Sequence, residues 1–307
     1  MKETWVAAFG ECMLELQGEA FGALRQHYGG DSFNAACYLA RCSPARVSFA
    51  SALGDDSLSD ALLQRWGAEG LDLSLARRLP GRRPGLYQIE LDANGERRFH
   101  FWRGHSAARA YFDDPAPTPL EAAADRLDGL LFSGIGLAIL PTAGRERLLA
   151  LAARLRARGA WVAFDNNYRP ILWDDAATAR HWFERALAVA SLALITTDDH
   201  QALFALPDAE AATAHAQSLN VPELALKRGA QPTLVGLGGT WDAVSTESVP
   251  RVVDTTAAGD SFAGGYLSRR LQGHTPVDAA AFGNRLAARV IQHPGAVIPR
   301  AAMEDLL

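Results

Sequence analysis

The chain has 307 residues, with 30 Lys and Arg against 35 Asp and Glu, a formal charge of −5 and a pI near 5.9. This acidic balance argues against nucleic acid as a general partner and leaves an anionic substrate only to a local cluster of Arg or Lys. Hydrophobic residues make up 49% and charged residues 21%, so a sizeable core is expected, in one large domain or two ordinary ones. The stretch "MKETWVAAFGECM" breaks its short apolar run at Gly10 and Glu11, unlike a secretory signal. The longest apolar run, 130–140, is too short to span a bilayer and ends at Pro141, so no membrane partner is expected. Cys12, Cys37 and Cys42 are odd in number and lack metal-site spacing, which fits reduced thiols in a cytoplasmic protein.

In chain order, "WVAAFGE" (5–11) and "RVSFASAL" (46–53) read as buried strands. A helix follows over 57–70, with Ser57 and Asp60 spaced as a capping box and Gly70 as a stop. The run 85–103 instead alternates with period two and bends at Asn94-Gly95. A two-residue turn there would pair Ile89 with His100. A three-residue loop, Ala93-Asn94-Gly95 with Gly95 left-handed, pairs Tyr87 with Phe101 and Ile89 with Phe99. The second register gathers the apolar residues, with Tyr87 and Arg103, on one face and is preferred. Such a hairpin either covers a sheet edge or forms a lid over a site. Further strands are expected at 129–135, 161–167, 192–197, 223–229 and 232–239. Between the first two, a helix over 143–159 places Leu148, Leu151, Ala152 and Leu155 on one face. Near the end, Thr275, Pro276 and Asp278 supply a cap, a first-turn proline and an acid for a helix over 277–292. Strands alternating with helices imply an α/β fold, a mostly parallel sheet covered on both faces.

The familiar nucleotide and hydrolase motifs are missing: no G-x-x-x-x-G-K-[ST], no H-E-x-x-H, no G-x-S-x-G and no paired-cysteine zinc pattern occur. "SGIGLAI" (133–139) has two glycines after a strand, which close strand–helix packing explains. The informative stretch is "VVDTTAAGDSFAGGYL" (252–267). A strand-like run ends at Asp254, and the small residues Thr255 to Gly259 lead into a helix. Their backbone amides can approach a ligand closely, and free amides at a helix start can hold an anion. Asp260 within that anion site reads either as an ordinary cap or as a base that takes a proton from a hydroxyl attacking a phosphate. In the second case the charge that builds on the transferred group is met by the amides.

"DTTAAGDSFAGGYL" resembles the C-terminal signature of the ribokinase-like (PfkB) sugar kinases, and "YGGDSFNAACYLAR" (28–41) resembles their N-terminal glycine-pair segment. Ala257 stands where D-T-x-G-A-G-D has its first glycine, a substitution familiar in the 2-keto-3-deoxygluconate kinase subgroup. "GECMLEL" (10–16), "RPGLYQIELDANGERRFHFWR" (83–103), "SGIGLAIL" (133–140), "FDNNYRPILW" (164–173) and "GAVIPR" (295–300) extend the likeness over nearly the whole chain. The resemblance implies a three-layer α/β/α sandwich as a single kinase domain, with a small β lid from about 12–28 and 83–112. It also implies ATP-dependent phosphorylation of 2-keto-3-deoxy-D-gluconate at its terminal hydroxyl, with magnesium on the ATP phosphates. A fructokinase, another sugar kinase of the family, or a catalytically silent sugar-binding regulator are the alternatives.

Carried over by position, the resemblance makes Asp260 the base and the amides of Ala257, Ala258 and Gly259 the anion hole. Lys227, Gly229, Ala258 and Asn284 would line the nucleotide pocket. Gly30, Asp31 and Asn34 would contact sugar hydroxyls, with Tyr87 and Arg103 coming from the lid and Arg169 from "NNYRP". Asp254 would help hold a monovalent cation or order its loop. Blander readings stand beside these: a tight turn for Gly29 and Gly30, a first-turn polar residue for Asn34, core packing for Tyr87. Lys227 could be a solvated strand end, Asn284 a helix-packing residue, and Arg103 a partner of Trp102 or a surface acid. The usual N-x-x-E element is altered to "TTDDHQAL" (196–203), with Asp198 at the Asn position and Gln201 at the Glu position. Gln cannot supply the negative charge, so Asp199 or water would have to compensate. The apolar hairpin face finally leads to the expectation of a homo-oligomer formed through the lid.

Overall fold

The computed structural model describes residues 3–19, 21–91 and 97–307. The first part of the chain forms β1 (Trp5–Phe9), β2 (Met13–Gly18), β3 (Leu24–Gly29), α1 (Asp31–Cys42), β4 (Arg46–Ala50) and β5 (Ala52–Leu53). There follow α2 (Ser57–Ala68), β6 (Arg77–Arg78), β7 (Leu86–Leu91), β8 (Arg97–Trp102), α3 (Pro119–Ala123), β9 (Gly129–Ser133), α4 (Gly134–Ile139) and α5 (Thr142–Ala157). The rest comprises β10 (Trp161–Asp165), α6 (Ala176–Val189), β11 (Leu192–Thr196), α7 (Thr197–Phe204), α8 (Ala209–Gln217) and β12 (Glu223–Lys227). It ends with β13 (Thr233–Leu237), β14 (Thr240–Val244), α9 (Ala258–Leu271) and α10 (Pro276–Val290).

Eight strands form the main sheet in the order β14-β13-β12-β11-β10-β9-β1-β4. It is parallel except at β13 and β14, which run antiparallel to their neighbours. Strands buried on both faces need no polar alternation, and the side chains divide accordingly. Leu130, Phe132, Val162 and Phe164 join the core beneath α5 and α6. Leu131, Ala163 and Leu194 join the core beneath α1, α2, α9 and α10. The three-layer α/β/α arrangement follows from this division. On α5 the expected face is buried at Leu148, Leu151, Ala152 and Leu155.

A second sheet, ordered β3-β2-β7-β8, is separate from the first. Its β7–β8 pair has the register expected from the side chains, Tyr87 opposite Phe101 and Ile89 opposite Phe99. The expected loop at 93–95 lies outside the described residues.

Several local readings change. The cap of α2 is Asp56, whose carboxylate accepts from the amides of Leu58 and Ser59, and not Ser57. The segment 46–53 divides into β4 and β5. The run before Asp254 forms no strand: the amides of Val253 and Asp254 both donate to the Ile291 carbonyl, at 2.8 and 3.1 Å. β14 was not expected. Its signal is Gly238-Gly239, both left-handed at φ 60° and 87°, as a two-residue hairpin turn requires.

Candidate active site

Ligands in open parallel sheets bind beyond the carboxyl ends of the strands. Here those ends deliver Asp165 from β10, Thr196 from β11 and Lys227 from β12 into one cavity of about 870 Å³. Helix α9 points its N-terminus at the same space, and the second sheet contributes Tyr87, Ile89, Phe99 and Phe101. Gly30, Asp31, Asn34, Arg103, Arg169, Gly229, Asn284 and the 257–260 turn all border it, so the expected catalytic, sugar and nucleotide residues are brought together, with Asp254 outside the lining.

The start of α9 is an unusual helix terminus. Ala257 sits left-handed at φ 60°, and no side chain caps the helix. A left-handed alanine costs roughly 1–2 kcal/mol, which accounts for glycine in the usual signature at this position. The turn leaves backbone donors for an anion, although the Ala258 N–H already donates to the Thr255 carbonyl at 3.2 Å. Asp254 braces it from behind, accepting from the amides of Thr256 at 2.9 Å and Gly295 at 3.0 Å.

Asn34 on α1 donates its amide to Asp260 Oδ2 at 2.8 Å. This holds one oxygen and leaves the other for a hydroxyl proton. Burial of the carboxyl and the nearby Asp31 carboxylate push Asp260 up to about 7, against the opposing pull of Asn34 and Lys227. A carboxylate tuned towards neutral pH suits a general base. Asp31 is itself held by Asn167 Nδ2 at 2.9 Å. Gly30 is required for space: a Cβ there would lie 1.9 Å from the Glu11 carbonyl oxygen. The backbone at Gly30 is extended (φ 178°), so close approach and not a tight turn explains the glycine.

The cations are less free than the sequence suggested. Arg103 is 8% exposed and forms an ion pair with Glu11, whose side chain is also buried. Arg169 is half exposed, bonding the Tyr168 carbonyl at 2.7 Å and the Asp199 carboxylate at 3.1 Å. Asp199 therefore faces the site, whereas Asp198 is exposed. The Tyr87 hydroxyl donates to Glu15, and its ring packs near Phe99 and Phe101. Asn284 bonds Thr233 Oγ1 at 2.9 Å and the carbonyls of Val244 and Ser245 at 3.3 and 3.0 Å. It pins β13 and β14 to α10 while bordering the cavity. Lys227 Nζ donates to both oxygens of Asp165, at 3.0 and 2.9 Å.

Sequence reasoning did not single out Glu11, Glu15 and Asp165. Glu11 and Asp165 shared one available signal: an acid at or just after the end of an apolar strand, where no core residue is needed.

A family model for pfkB carbohydrate kinases matches residues 4–302. The chain belongs to this family. Among curated relatives it is 41% identical over 304 residues to the 2-dehydro-3-deoxygluconokinase of Escherichia coli strain K12, covering 97% of this chain and 98% of that one. It is 38% identical over 306 residues to the enzyme of the same name from Haemophilus influenzae, covering 98% of each. The fold matches the crystal structure of Xylella fastidiosa fructokinase with bound ATP at a TM-score of 0.84, with 23% identity and 98% and 97% of the two chains covered. The chain is thus a sugar kinase of ribokinase-like fold. Among the described residues no helix is long and apolar enough to cross a membrane.

Proposed function

We propose that this kinase transfers a phosphoryl group from ATP to the terminal hydroxyl of 2-keto-3-deoxy-D-gluconate, giving the 6-phosphate. The observation that carries the reading is the Asp260 carboxylate, held by Asn34 at the uncapped N-terminus of α9 inside the shared cavity. The relatives named 2-dehydro-3-deoxygluconokinase support the choice of sugar acid, and the ATP-bound fructokinase supports the nucleotide.

In this reading Asp260 takes the hydroxyl proton, and the amides of Ala257, Ala258 and Gly259 meet the charge that develops on the transferred group. Gly30, Asp31 and Asn34 position the sugar, with Tyr87 above it. Lys227, Gly229, Ala258 and Asn284 border the nucleotide end. Magnesium would travel on the ATP phosphates. A monovalent cation beside Asp254 belongs to the same proposal, and potassium dependence of turnover would report it. We place the protein in the cytoplasm.

The deciding experiment is a coupled ADP-release panel with ketodeoxygluconate, ketodeoxygalactonate, fructose, ribose and gluconate. Highest kcat/KM on ketodeoxygluconate is expected, and turnover on none of the five would revive a sugar-binding regulator. Arg169 gives a sharper test of the carboxylate. Its side chain is half exposed and that of its partner Asp199 is 22% exposed, so Arg169→Leu should fold normally. Losing a charge-assisted contact of about 1.5–3 kcal/mol should raise the KM for ketodeoxygluconate by roughly one to two orders of magnitude. A residual reaction with a neutral ketose should not change. Equal losses on both substrates would mean that Arg169 supports the fold or the phosphates.

The second sheet is proposed as a lid over the sugar, spanning about 12–28 and 83–112. Phe99 and Phe101 are 49% and 42% exposed towards the cavity, and Trp102 is 59% exposed. The face of Tyr87, Phe99 and Phe101, which Trp102 does not share because side chains alternate along β8, needs cover from closure over the site or from the lid of a second copy. A homodimer or larger assembly is expected. Light scattering that shows a monomer at micromolar concentration would count against the pairing.

A further inference from the structure

Of 30 cationic side chains only two are lysines, Lys2 and Lys227. Lys227 projects from the end of β12 with its side chain 11% exposed, and Asp165, at the end of β10, is 10% exposed. The ammonium contacts both oxygens of that carboxylate at 2.9–3.0 Å. A Cβ built on Gly259 would lie 3.4 Å from Nζ, so the charge packs against the first turn of α9, where the anion-binding amides are.

A buried ion pair does not generally stabilise a fold beyond what apolar residues of similar volume would provide. Its position beside the base is therefore informative. Lysine also differs from arginine in kind: it is a compact point charge with three donors, and two carboxylate contacts leave a donor to spare.

On the phosphoryl-transfer reading above, we infer that Asp165 and Lys227 work as a charge couple. Asp165 is a positioning residue that holds the Lys227 ammonium against the N-terminus of α9, as a further contact for the transferred phosphoryl group. The same couple also contributes to the field at Asp260, after burial, Asp31 and Asn34, with Asp165 raising its pKa and Lys227 lowering it. The groups around that carboxylate are Asp31 and the Tyr38 phenol from α1, Asp165 from β10, Lys227 from β12 and the Tyr87 phenol from the second sheet. Glu15, Asp199, Arg103, Arg169 and Arg228 lie elsewhere along the cavity wall. Among the groups around the Asp260 carboxylate, Asp165 and Lys227 form an ion pair, so removing one or the other should act in opposite directions.

The test follows the Asp260 carboxyl carbon by NMR in the ligand-free, full-length protein, labelled at aspartate. Asp165→Asn removes an anion and leaves Lys227 unbalanced, so the Asp260 midpoint should fall by about one pH unit. Lys227→Met removes the cation and should raise it, by a smaller amount to the extent that the buried Asp165 carboxyl, already pushed up by burial, takes a proton once its partner is gone. In the panel above, Lys227→Met should lower kcat with little change in the sugar KM. The double variant should be no worse than Lys227→Met alone, since the two residues act as one unit. Should Lys227→Met fail to fold, Lys227→Gln gives the same reading. Opposite shifts with a lowered kcat support the couple. Shifts of the same sign, or an Asp165→Asn variant indistinguishable from the parent, overturn it. A parent chain that phosphorylates no sugar would defeat the transfer reading instead, and the titration, needing no turnover, tells the two failures apart.

Discussion

Asp260→Asn is expected to lower kcat by roughly two to four orders of magnitude, the scale of a positioned general base, while sugar and ATP still bind. The change keeps the shape of the side chain and its place opposite Asn34 Nδ2, 2.8 Å away, but removes the proton acceptor. The pH profile supplies an independent sign. Burial and Asp31 raise the carboxyl to about 7, and a base works only when deprotonated. The parent kcat/KM should therefore be flat above about 7 and fall roughly tenfold per unit below it. The residual activity of the variant should lack that acid limb. A variant that keeps more than about a tenth of the parent turnover, a loss below the general-base scale, would leave Asp260 only a structural role as the partner of Asn34.

Arg103→Leu should be the most destabilising change in the site. The guanidinium lies just after the end of β8 and pairs with Glu11, just beyond β1, so it ties the second sheet to the main one. Glu11 is 2% exposed. Stranding a buried carboxylate typically costs about 3–5 kcal/mol, and urea unfolding should show a loss of that size. Adding Glu11→Leu should return much of it, because the stranded charge is then gone. A loss below about 1 kcal/mol, the range of solvated pairs, would mean that Arg103 is held loosely and is available to a substrate carboxylate. Both arginines have an acid as partner, but the Arg103–Glu11 pair is buried whereas Arg169 is half exposed in its pair with Asp199, which makes Arg169 the freer of the two candidates for that contact.

The order of strands and helices was legible because each element carries its own signal. Helix α10 begins at a Thr275 cap with Pro276 in its first turn, and both are visible in the residue types alone. The β7–β8 register was legible because a slip by one residue would move Ile89 and Phe99 to opposite faces. Sequence reasoning was weaker where two acceptors compete within a few residues. Asp56 took the cap of α2 because its carboxylate reaches two amides. The apolar run before Asp254 looked like a strand but is tied to the end of α10, a contact that no local pattern encodes.

At the site, the sequence by itself determined the chemistry available: an acid in the first turn of a helix, small residues before it, and arginines in loops after strands. Residue type and spacing suffice for that, since they fix which amides are free and which side chains can ionise. Only the tertiary structure decided how the charges are distributed. Asp165 and Lys227 are 62 residues apart, and Glu11 and Arg103 are 92 apart. Each pair meets because chain crossings and strand pairings bring distant elements together, and electrostatic energy depends on that separation in space. The sequence therefore indicated an Asp suited to act as a base, while the fold decided that its pKa would rise towards neutrality.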